Sequence, residues 1–342
     1  MPIVTASGNM LFDDKGKAWL DLQSGILNTP LGHGSDQLHY ALNSLMNSGL
    51  INTYDRTSAA NEQLLAAMTI YEPRFVWKMF NTGAEAVEKA LQIASTHFDR
   101  PIRIAVLPNT FHGKLMSMAW ANYGDKVPWG NPLNLIRIDM TTLEDIPPFD
   151  ALIYEPMQGW DGTVNNEALL RELCDLNGAL LIADEMITSF LRCGDRFMNK
   201  TADITICGKG ISGGAPLSFV GYRKEILPQG EIAVGWRSTG AGNNLSATIG
   251  LAMLRHFVHN EHKIMQRVSA IETILQGMSF NALGAFGFRK MRRPDAAKAL
   301  FESERVIGSW HCSPLLRVGP SFVTTNDQLD ILADLIEKAE KL

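Results

Sequence analysis

Six short apolar runs, each bounded by glycine, proline, asparagine or aspartate, constrain the fold of this sequence more than any other feature. They predict buried strands over residues 102–107, 133–138, 151–154, 179–183, 203–207 and 217–222. Apolar residues at helical spacing lie before or between some of these runs, as in 87–94 and 168–176. Because strands that alternate with helices form parallel sheets, the sequence predicts an α/β core with a mostly parallel central sheet.

The pattern changes near residue 244, which indicates a second structural unit. Apolar spacing there predicts two consecutive helices and a final helix, over 245–259, 262–277 and 327–341, with short strand-like segments between them. The chain has 342 residues, 46% of them hydrophobic, which fits one large domain or one large and one small domain. We therefore expect a large domain formed by 43–244 and a smaller α+β domain formed by both termini, 1–42 and 245–342.

Composition excludes several classes of protein. Lys and Arg total 31 against 36 Asp and Glu, a net charge of −5, so no concentrated basic surface is expected for nucleic acid. No run approaches the 18 or so apolar residues of a membrane span, and the first residues lack the pattern of a signal peptide. The four cysteines are too widely spaced for a zinc or redox motif. We expect a cytoplasmic protein that carries no metal.

Three polar residues follow predicted strands at the edge where open parallel sheets bind ligands: Glu155, Asp184 and Lys209. Asp184 would suit the Mg²⁺-associated acid of a P-loop ATPase, but the G-x-x-x-x-G-K-[ST] loop is absent. It could also cap the next turn. Lys209 lies between glycines, and a desolvated lysine attacks carbonyl groups. An anion anchor or an ordinary loop lysine are the alternatives.

The segment Asn81–Glu85 has the pattern of a helix start. Thr82 and Glu85 form a predicted capping box, while the free N–H groups around Gly83 and Ala84 are typical of a phosphate site. Both interpretations are compatible, because the hydroxyl of Thr82 can serve the cap or the phosphate.

Further candidates lie in three other segments. Phe111 could stack on a flat cofactor or belong to the core, and His112 is interpreted as a hydrogen-bonded structural histidine. Ser238 and Thr239 begin a glycine-rich loop that connects two elements or contacts a phosphate. Arg317, in an apolar strand, requires a carboxylate partner, which is an internal acid or a substrate.

Taken together and in this order, these segments resemble the class III aminotransferases of the ornithine and acetylornithine type. The similarity covers nearly the whole chain and is carried by GKAWLDLQSGI, LGHG, FNTGAEAVEKAL, FHG, YEPMQG, LLIADE, ADITICGKGISGGAPLS, STGAGN and LLRVGP. Nine motifs in family order, each in its predicted structural context, make the resemblance specific. It implies the type I pyridoxal-phosphate transferase fold, pyridoxal 5'-phosphate as cofactor, and a homodimer.

The resemblance also implies roles for individual residues. Lys209 would hold the cofactor as a Schiff base, and Asp184 would pair with the pyridine nitrogen. The remaining cofactor-binding residues would be Thr82, Gly83 and Ala84 at the phosphate, Phe111 on the ring, Glu155 and Ile187 beside it, and Thr239 at the phosphate of the other subunit. The substrate side would be formed by Arg317, which binds an α-carboxylate, with Lys114, Trp160 and Ser238.

Three of these positions depart from the family pattern. Ile187 stands where glutamine is frequent, so the contacts to the ring's phenolic oxygen are changed. Trp160 replaces a frequent glutamate that gates the carboxylate-binding arginine, so Arg317 is expected to be permanently available or its pocket reshaped around the indole. Lys114 replaces a common arginine. Because the chain is also shorter than typical members, we expect an unusual pocket entrance.

The resemblance implies a ping-pong aminotransferase that moves an amino group from an amino acid or primary amine to an oxo acid or aldehyde. An aminomutase, racemase or decarboxylase of the same fold needs the same lysine and aspartate, so these reactions remain open. A non-catalytic binding module is the third alternative, although scaffolding would require neither Lys209 nor Asp184.

Overall fold

The computed structural model describes residues 2–53, 56–140, 146–232, 234–236 and 238–342. The helices within these ranges are α1 (Ser24–Leu27), α2 (Asp36–Ser48), α3 (Ala59–Tyr71), α4 (Gly83–Phe98), α5 (Met116–Tyr123), α6 (Glu167–Asn177), α7 (Asn244–Gly277), α8 (Pro294–Ser303) and α9 (Asn326–Lys341). Among the described residues, no helix is both long enough and apolar enough to cross a bilayer.

The strands belong to three sheets. In chain order they are β1 (Ile3–Ser7), β2 (Met10–Asp13), β3 (Ala18–Asp21), β4 (Val76–Phe80), β5 (Ile104–Val106), β6 (Ile136–Arg137), β7 (Ala151–Tyr154), β8 (Leu180–Asp184), β9 (Ile204–Cys207), β10 (Ser218–Tyr222), β11 (Asn281–Ala282), β12 (Gly287–Lys290), β13 (Val306–Ile307) and β14 (Leu315–Val318).

The central sheet has the strand order β4-β10-β9-β8-β7-β5-β6. The neighbours from β9 to β6 are parallel, whereas β10 runs antiparallel to both β4 and β9. All six predicted apolar runs contain strands of this sheet, and the α/β architecture is confirmed. Strand β4 was not predicted, because the polar Lys78 interrupts its short apolar sequence.

Helices cover both faces of the central sheet. On one face, the α4 stripe that includes Val87 and Leu91 packs with strand residues such as Ile153 and Ile182 in one buried cluster. On the other face, a second cluster joins α6 to the opposite side chains of β7 and β8. Strands β7, β8 and β9 are therefore buried throughout, as their continuous apolar sequences predict.

The second unit joins the two ends of the chain. Strand β13 pairs in parallel with β3, and β11, β12 and β14 form a separate antiparallel sheet. The two helices predicted after residue 244 form the single helix α7, interrupted by non-helical dihedrals at Asn260. The boundary expected at 42 falls inside α2, whereas the boundary at 244 falls at the first residue of α7, and the division into two domains stays a prediction.

Helix α1 is left-handed, since φ is positive at all four residues: Ser24 (43°), Gly25 (59°), Ile26 (62°) and Leu27 (66°). Left-handed backbone costs a residue with a side chain about 1–2 kcal/mol. Buried Asp21 offsets this cost, because its Oδ2 accepts the Gly25 N–H at 2.8 Å and lies 2.9 Å from His33 Nε2. Asn28, the residue after this turn, lines a cavity at the carboxyl edge of the central sheet.

Candidate active site

A 430 Å³ cavity opens at the carboxyl edge of the central sheet. Three parallel strands deliver its polar groups: Glu155 follows β7, Asp184 ends β8 and Lys209 follows β9. The cavity is also lined by Asn28, Asn81, Thr82, Gly83, Ala84, Phe111, Met186, Ile187, Ser212 and the loop segment 214–217. Most residues predicted from strand ends and from the helix start therefore meet in one cavity.

The start of α4 forms one end of the cavity. Thr82 Oγ1 accepts the Glu85 N–H at 3.1 Å, which is the predicted cap. The reciprocal half of the capping box is shifted, since the Glu85 carboxylate accepts the backbone N–H of Asn81 at 3.0 Å. Helix geometry leaves the N–H groups of Gly83 and Ala84 without intrahelical acceptors, so this end is suited to a phosphate.

Asp184 is held by a buried histidine. Its Oδ2 lies 2.8 Å from His112 Nδ1, and His112 Nε2 lies 2.6 Å from Thr110 Oγ1. Asp184 Oδ1 also accepts the Met186 N–H at 3.2 Å, so the aspartate caps the following turn as well as facing the cavity. As expected, His112 is hydrogen-bonded at both ring nitrogens, but its contact with Asp184 was missed.

Lys209 lies at the junction of β9 and a short 3₁₀ turn, with φ at 36°. Burial lowers the pKa of its ammonium group to about 8; the positive charge of Arg317 adds to the effect, whereas Asp184 and Glu155 oppose it. A substantial fraction of Lys209 is therefore neutral near physiological pH. A neutral amine in a cavity is a nucleophile toward a carbonyl group and can accept a proton.

Glu155 stabilises the wall that carries Phe111. Its carboxylate is buried and accepts the backbone N–H groups of Phe111, at 2.8 Å, and of Gly159, at 3.1 Å. Burial raises the pKa of Glu155 to about 7; His112 opposes this shift and Asp184 adds to it. Both oxygens thus orient backbone, which fixes the position of the Phe111 ring at the cavity.

Arg317 is a largely buried cation on β14. Its Nη1 donates to the carbonyl oxygen of Gly159 at 2.8 Å, its Nε is buried without a partner, and burial lowers its pKa. Arg317 forms no ion pair with an acid in the part of the chain that the structure describes. Of the two partners left open by the sequence, an internal acid and a substrate carboxylate, the second fits this geometry.

Of the atypical residues, Ile187 lines the cavity, whereas Trp160 lies outside its lining. Ile187 is buried, and its Cδ1 would be 2.4 Å from a Cβ placed on Gly159. Trp160 follows Gly159 and packs edge-to-face against Tyr123, with 6.4 Å between ring centroids. The wall beside Glu155 is therefore apolar and tightly filled.

Three further predicted site residues, like Arg317 and Trp160, lie outside the lining of this cavity. Lys114 is exposed. The Ser238 hydroxyl donates to Glu85 at the start of α4, so it supports the phosphate end rather than facing a substrate in this chain. Thr239 is exposed, and its carbonyl oxygen accepts from Asn52 at 2.8 Å.

The cavity fits a planar phosphorylated aldehyde. A helix start provides N–H groups for a phosphate, the buried carboxylate of Asp184 suits a ring nitrogen, and Lys209 supplies an amine of lowered pKa. On a mostly parallel sheet with these groups at its carboxyl edge, this arrangement defines the class of pyridoxal-phosphate enzymes with the type I fold.

Comparison with known proteins specifies the family. The sequence profile of the family Aminotransferase class-III matches residues 1–139 and 138–339, and the chain belongs to this family. A putative [LysW]-aminoadipate semialdehyde/glutamate semialdehyde transaminase of Aeropyrum pernix is 28% identical over 98% of this chain and 94% of its own length. The acetylornithine aminotransferase of Corynebacterium efficiens is 31% identical over 74% of this chain and 69% of its own.

Solved structures show the same fold. The ornithine aminotransferase of Toxoplasma gondii superposes with a TM-score of 0.85 at 20% identity, covering 99% of this chain and 90% of that one. A second structure of that enzyme, with a TM-score of 0.84, is described as having partial occupancy of PLP at its active site. This chain is accordingly a class III aminotransferase whose cofactor is pyridoxal 5'-phosphate, acting on amine and oxo substrates.

Proposed function

We propose that this chain runs a ping-pong transamination in which Lys209 and Asp184 are the catalytic residues. The observation that carries the proposal is the buried Lys209, with a pKa of about 8, in one cavity with Asp184 and the free start of α4. When bound, the cofactor supplies an electron sink for the bond electrons at the substrate Cα. The donor is an amino acid or primary amine, and the acceptor is an oxo acid or aldehyde.

The residues around the cavity hold the cofactor in a fixed orientation. Gly83, Ala84 and Thr82 bind the phosphate through N–H groups and a hydroxyl. The carboxylate of Asp184 keeps the ring nitrogen protonated, and His112 keeps that carboxylate in place. Phe111 covers the ring because Glu155 anchors its backbone.

Proton movement is assigned to the side-chain nitrogen of Lys209. When it is not bonded to the cofactor, Nζ would be a base beside the substrate, and burial, which lowers its pKa to about 8, increases its neutral fraction at physiological pH. It removes the Cα proton of the donor and later returns a proton when the acceptor is aminated. Lys209→Ala should therefore abolish both the visible absorbance of the bound cofactor and turnover.

We assign the substrate α-carboxylate to Arg317. Its guanidinium is buried, forms no ion pair with a described acid and retains donors beyond the one given to Gly159. Arg317→Ala should raise KM for carboxylate-bearing donors much more than for simple amines. An equal rise for both donor types would refute the assignment.

We propose a homodimer in which Thr239 reaches the cofactor phosphate of the other subunit. Thr239 is exposed and does not line the cavity of its own chain. The exposed apolar residues Leu50 and Ile51 lie near Thr239. The next residue, Asn52, donates its side-chain amide to the carbonyl oxygen of Thr239, and Asn244 donates to the carbonyl oxygens of Leu50 and Ile51. Burying this apolar surface against a second copy would stabilise the dimer. Sedimentation analysis that finds only monomers would contradict this arrangement.

An aminomutase is the second candidate, because one relative is a glutamate-1-semialdehyde 2,1-aminomutase of Staphylococcus haemolyticus, 29% identical over 78% of this chain. A panel of amino donors, given singly without acceptor, separates the two activities. A transaminase releases one equivalent of oxo product and leaves its cofactor in the amine form. An aminomutase returns an isomer of the substrate and releases no oxo product.

The first experiment is the absorbance spectrum of the purified protein before and after borohydride, with mass analysis of the peptide that contains Lys209. We expect a visible band that disappears and a reduced pyridoxyl adduct on Lys209. Absence of both, after addition of pyridoxal phosphate, would refute the proposed role of this lysine.

A further inference from the structure

Arg192 is a fully buried cation with no acidic partner among the described residues. It is 2% exposed, and burial lowers its pKa to about 10, so it remains charged at neutral pH. Its Nη1 donates to two backbone carbonyl oxygens, those of Ala285 at 3.2 Å and Pro320 at 2.5 Å. Its guanidinium carbon lies 4.9 Å from the centroid of the Phe322 ring. We call this set of contacts the Arg192 clamp.

A second set of contacts tightens the clamp at the backbone. The Ala285 N–H donates to the carbonyl oxygen of Arg192 at 2.9 Å, so the two residues are bonded in both directions. A Cβ on Gly284 would lie 2.3 Å from that same oxygen, so only glycine permits this approach. Burying a charge is costly unless it is hydrogen-bonded, and here two carbonyl oxygens and an aromatic ring stabilise the guanidinium.

The clamp joins the two sides of the active site. Arg192 lies in the loop that connects Asp184, at the end of β8, to β9, whereas Pro320 lies three residues after Arg317. An apolar cluster that includes Ile187 of the loop and Phe288, the neighbour of Arg317 on β12, fills the space between them. The position of the guanidinium of Arg317 relative to the cofactor end of the cavity therefore depends on this junction.

We propose that Arg192 is a positioning residue for transamination, which fixes the carboxylate-binding Arg317 at its distance from Lys209 and Asp184. This inference rests on the proposed carboxylate role of Arg317. The planar guanidinium bonds two carbonyl oxygens while lying over an aromatic ring, a geometry that a lysine ammonium does not reproduce. Loosening the junction shifts β14, and a carboxylate held by Arg317 then presents its Cα away from Lys209.

The test uses holoenzyme and a pair of donors that differ only in the α-carboxylate, L-ornithine and putrescine, with L-alanine and ethylamine as a second pair. Arg192→Met removes the clamp, and Arg192→Lys and Arg192→Gln retain part of it. Arg196→Met is the matched control, because Arg196 lies in the same loop but pairs with Glu261 of α7. Donor kinetics are combined with hydrogen exchange of the peptide that spans 315–322.

For Arg192→Met we expect kcat/KM for the amino acid to fall about tenfold or more, mainly through kcat, because displacements near 1 Å can cost about 100-fold in rate. The kcat/KM for the matching amine should change less than about twofold, and exchange at 315–322 should accelerate. Arg192→Lys and Arg192→Gln should give intermediate values. Arg196→Met should leave both donors and the exchange rate unchanged.

Arg317→Ala serves as the reference that separates failure of the positioning role of Arg192 from failure of the carboxylate role of Arg317. If Arg317→Ala discriminates between the paired donors and the Arg192 variants do not, the positioning role is overturned while the carboxylate role stands. If Arg317→Ala affects both donors equally, the carboxylate role fails and the inference fails with it. If Arg192→Met does not fold, the same comparison is decided by Arg192→Lys and Arg192→Gln.

Discussion

The lowered pKa of Lys209 leads to a quantitative expectation for cofactor attachment. With a pKa of about 8 in place of 10.5, the neutral fraction of this amine at pH 7 rises from about 1 in 3,000 to about 1 in 10. Since only the neutral amine attacks an aldehyde, Lys209 should capture pyridoxal phosphate about 300-fold faster than an ordinary lysine of equal intrinsic reactivity.

The assay is stopped-flow absorbance of apoenzyme mixed with pyridoxal phosphate between pH 6.5 and 10. Each rate is divided by the rate for Nα-acetyl-lysine, which removes the cofactor's own titrations. Below pH 8 the ratio should be constant, because the neutral fractions of both amines fall by the same factor with each unit by which the pH decreases. Between pH 8 and 10 it should fall about tenfold per unit, since Lys209 is then already neutral.

Replacement of Arg317 by Met tests the cause of the shift. Burial is the larger contribution to the lowered pKa, and the charge of Arg317 is the next. Removing that charge raises the pKa of Lys209, so the break in the rate ratio should move to higher pH but stay below 10.5. A ratio that is flat from pH 6.5 to 10 in the unmodified protein would refute the reasoning, because it would mean that Lys209 titrates like a free lysine.

Three further predictions concern packing, the partner of the catalytic acid and the subunit interface. Gly159→Ala should lower the free energy of unfolding by about 1–3 kcal/mol, since its methyl would meet Ile187 at 2.4 Å. Urea titration should show a smaller loss for Gly159→Ala when Ile187→Ala is the background, and equal losses in both backgrounds would contradict the contact. His112→Phe removes a bond to Asp184 worth about 1.5–3 kcal/mol, so kcat should fall about 10- to 100-fold, with His112→Asn less affected. Thr239→Ala should accelerate cofactor loss during dialysis, and in mixed dimers only the site facing the altered subunit should lose it.

Strands that are buried on both faces could be predicted from local sequence, because such strands consist of a continuous apolar run. Residues 151–154 were predicted as they occur in β7, and the runs that became β8 and β9 were predicted within one residue at each end. Asp184 and Lys209 could be selected for the same reason, because the carboxyl ends of neighbouring parallel strands meet. The helix start at Thr82 could likewise be predicted from neighbouring residues alone.

Features that depend on distant pairing were not predictable. The orientation of β10 is set by its neighbours β4 and β9, and its apolar sequence is the same in either direction. His112 meets Asp184 across 72 residues of chain, and no spacing rule connects them. Arg192 was not singled out from the sequence, because its carbonyl partners follow some 90 and 130 residues later. Buried polar contacts between remote segments become visible only when the fold assembles them.

The left-handed helix α1 is a place where chirality itself can be engineered. Ile26 is 56% exposed with φ at 62°, so it gains little from burial to offset the about 1–2 kcal/mol that an L-residue loses in this conformation. A D-residue prefers positive φ. A semisynthetic protein with a D-amino acid at position 26 should therefore be more stable than the natural chain, in contrast to the usual effect of inverted chirality in a folded protein.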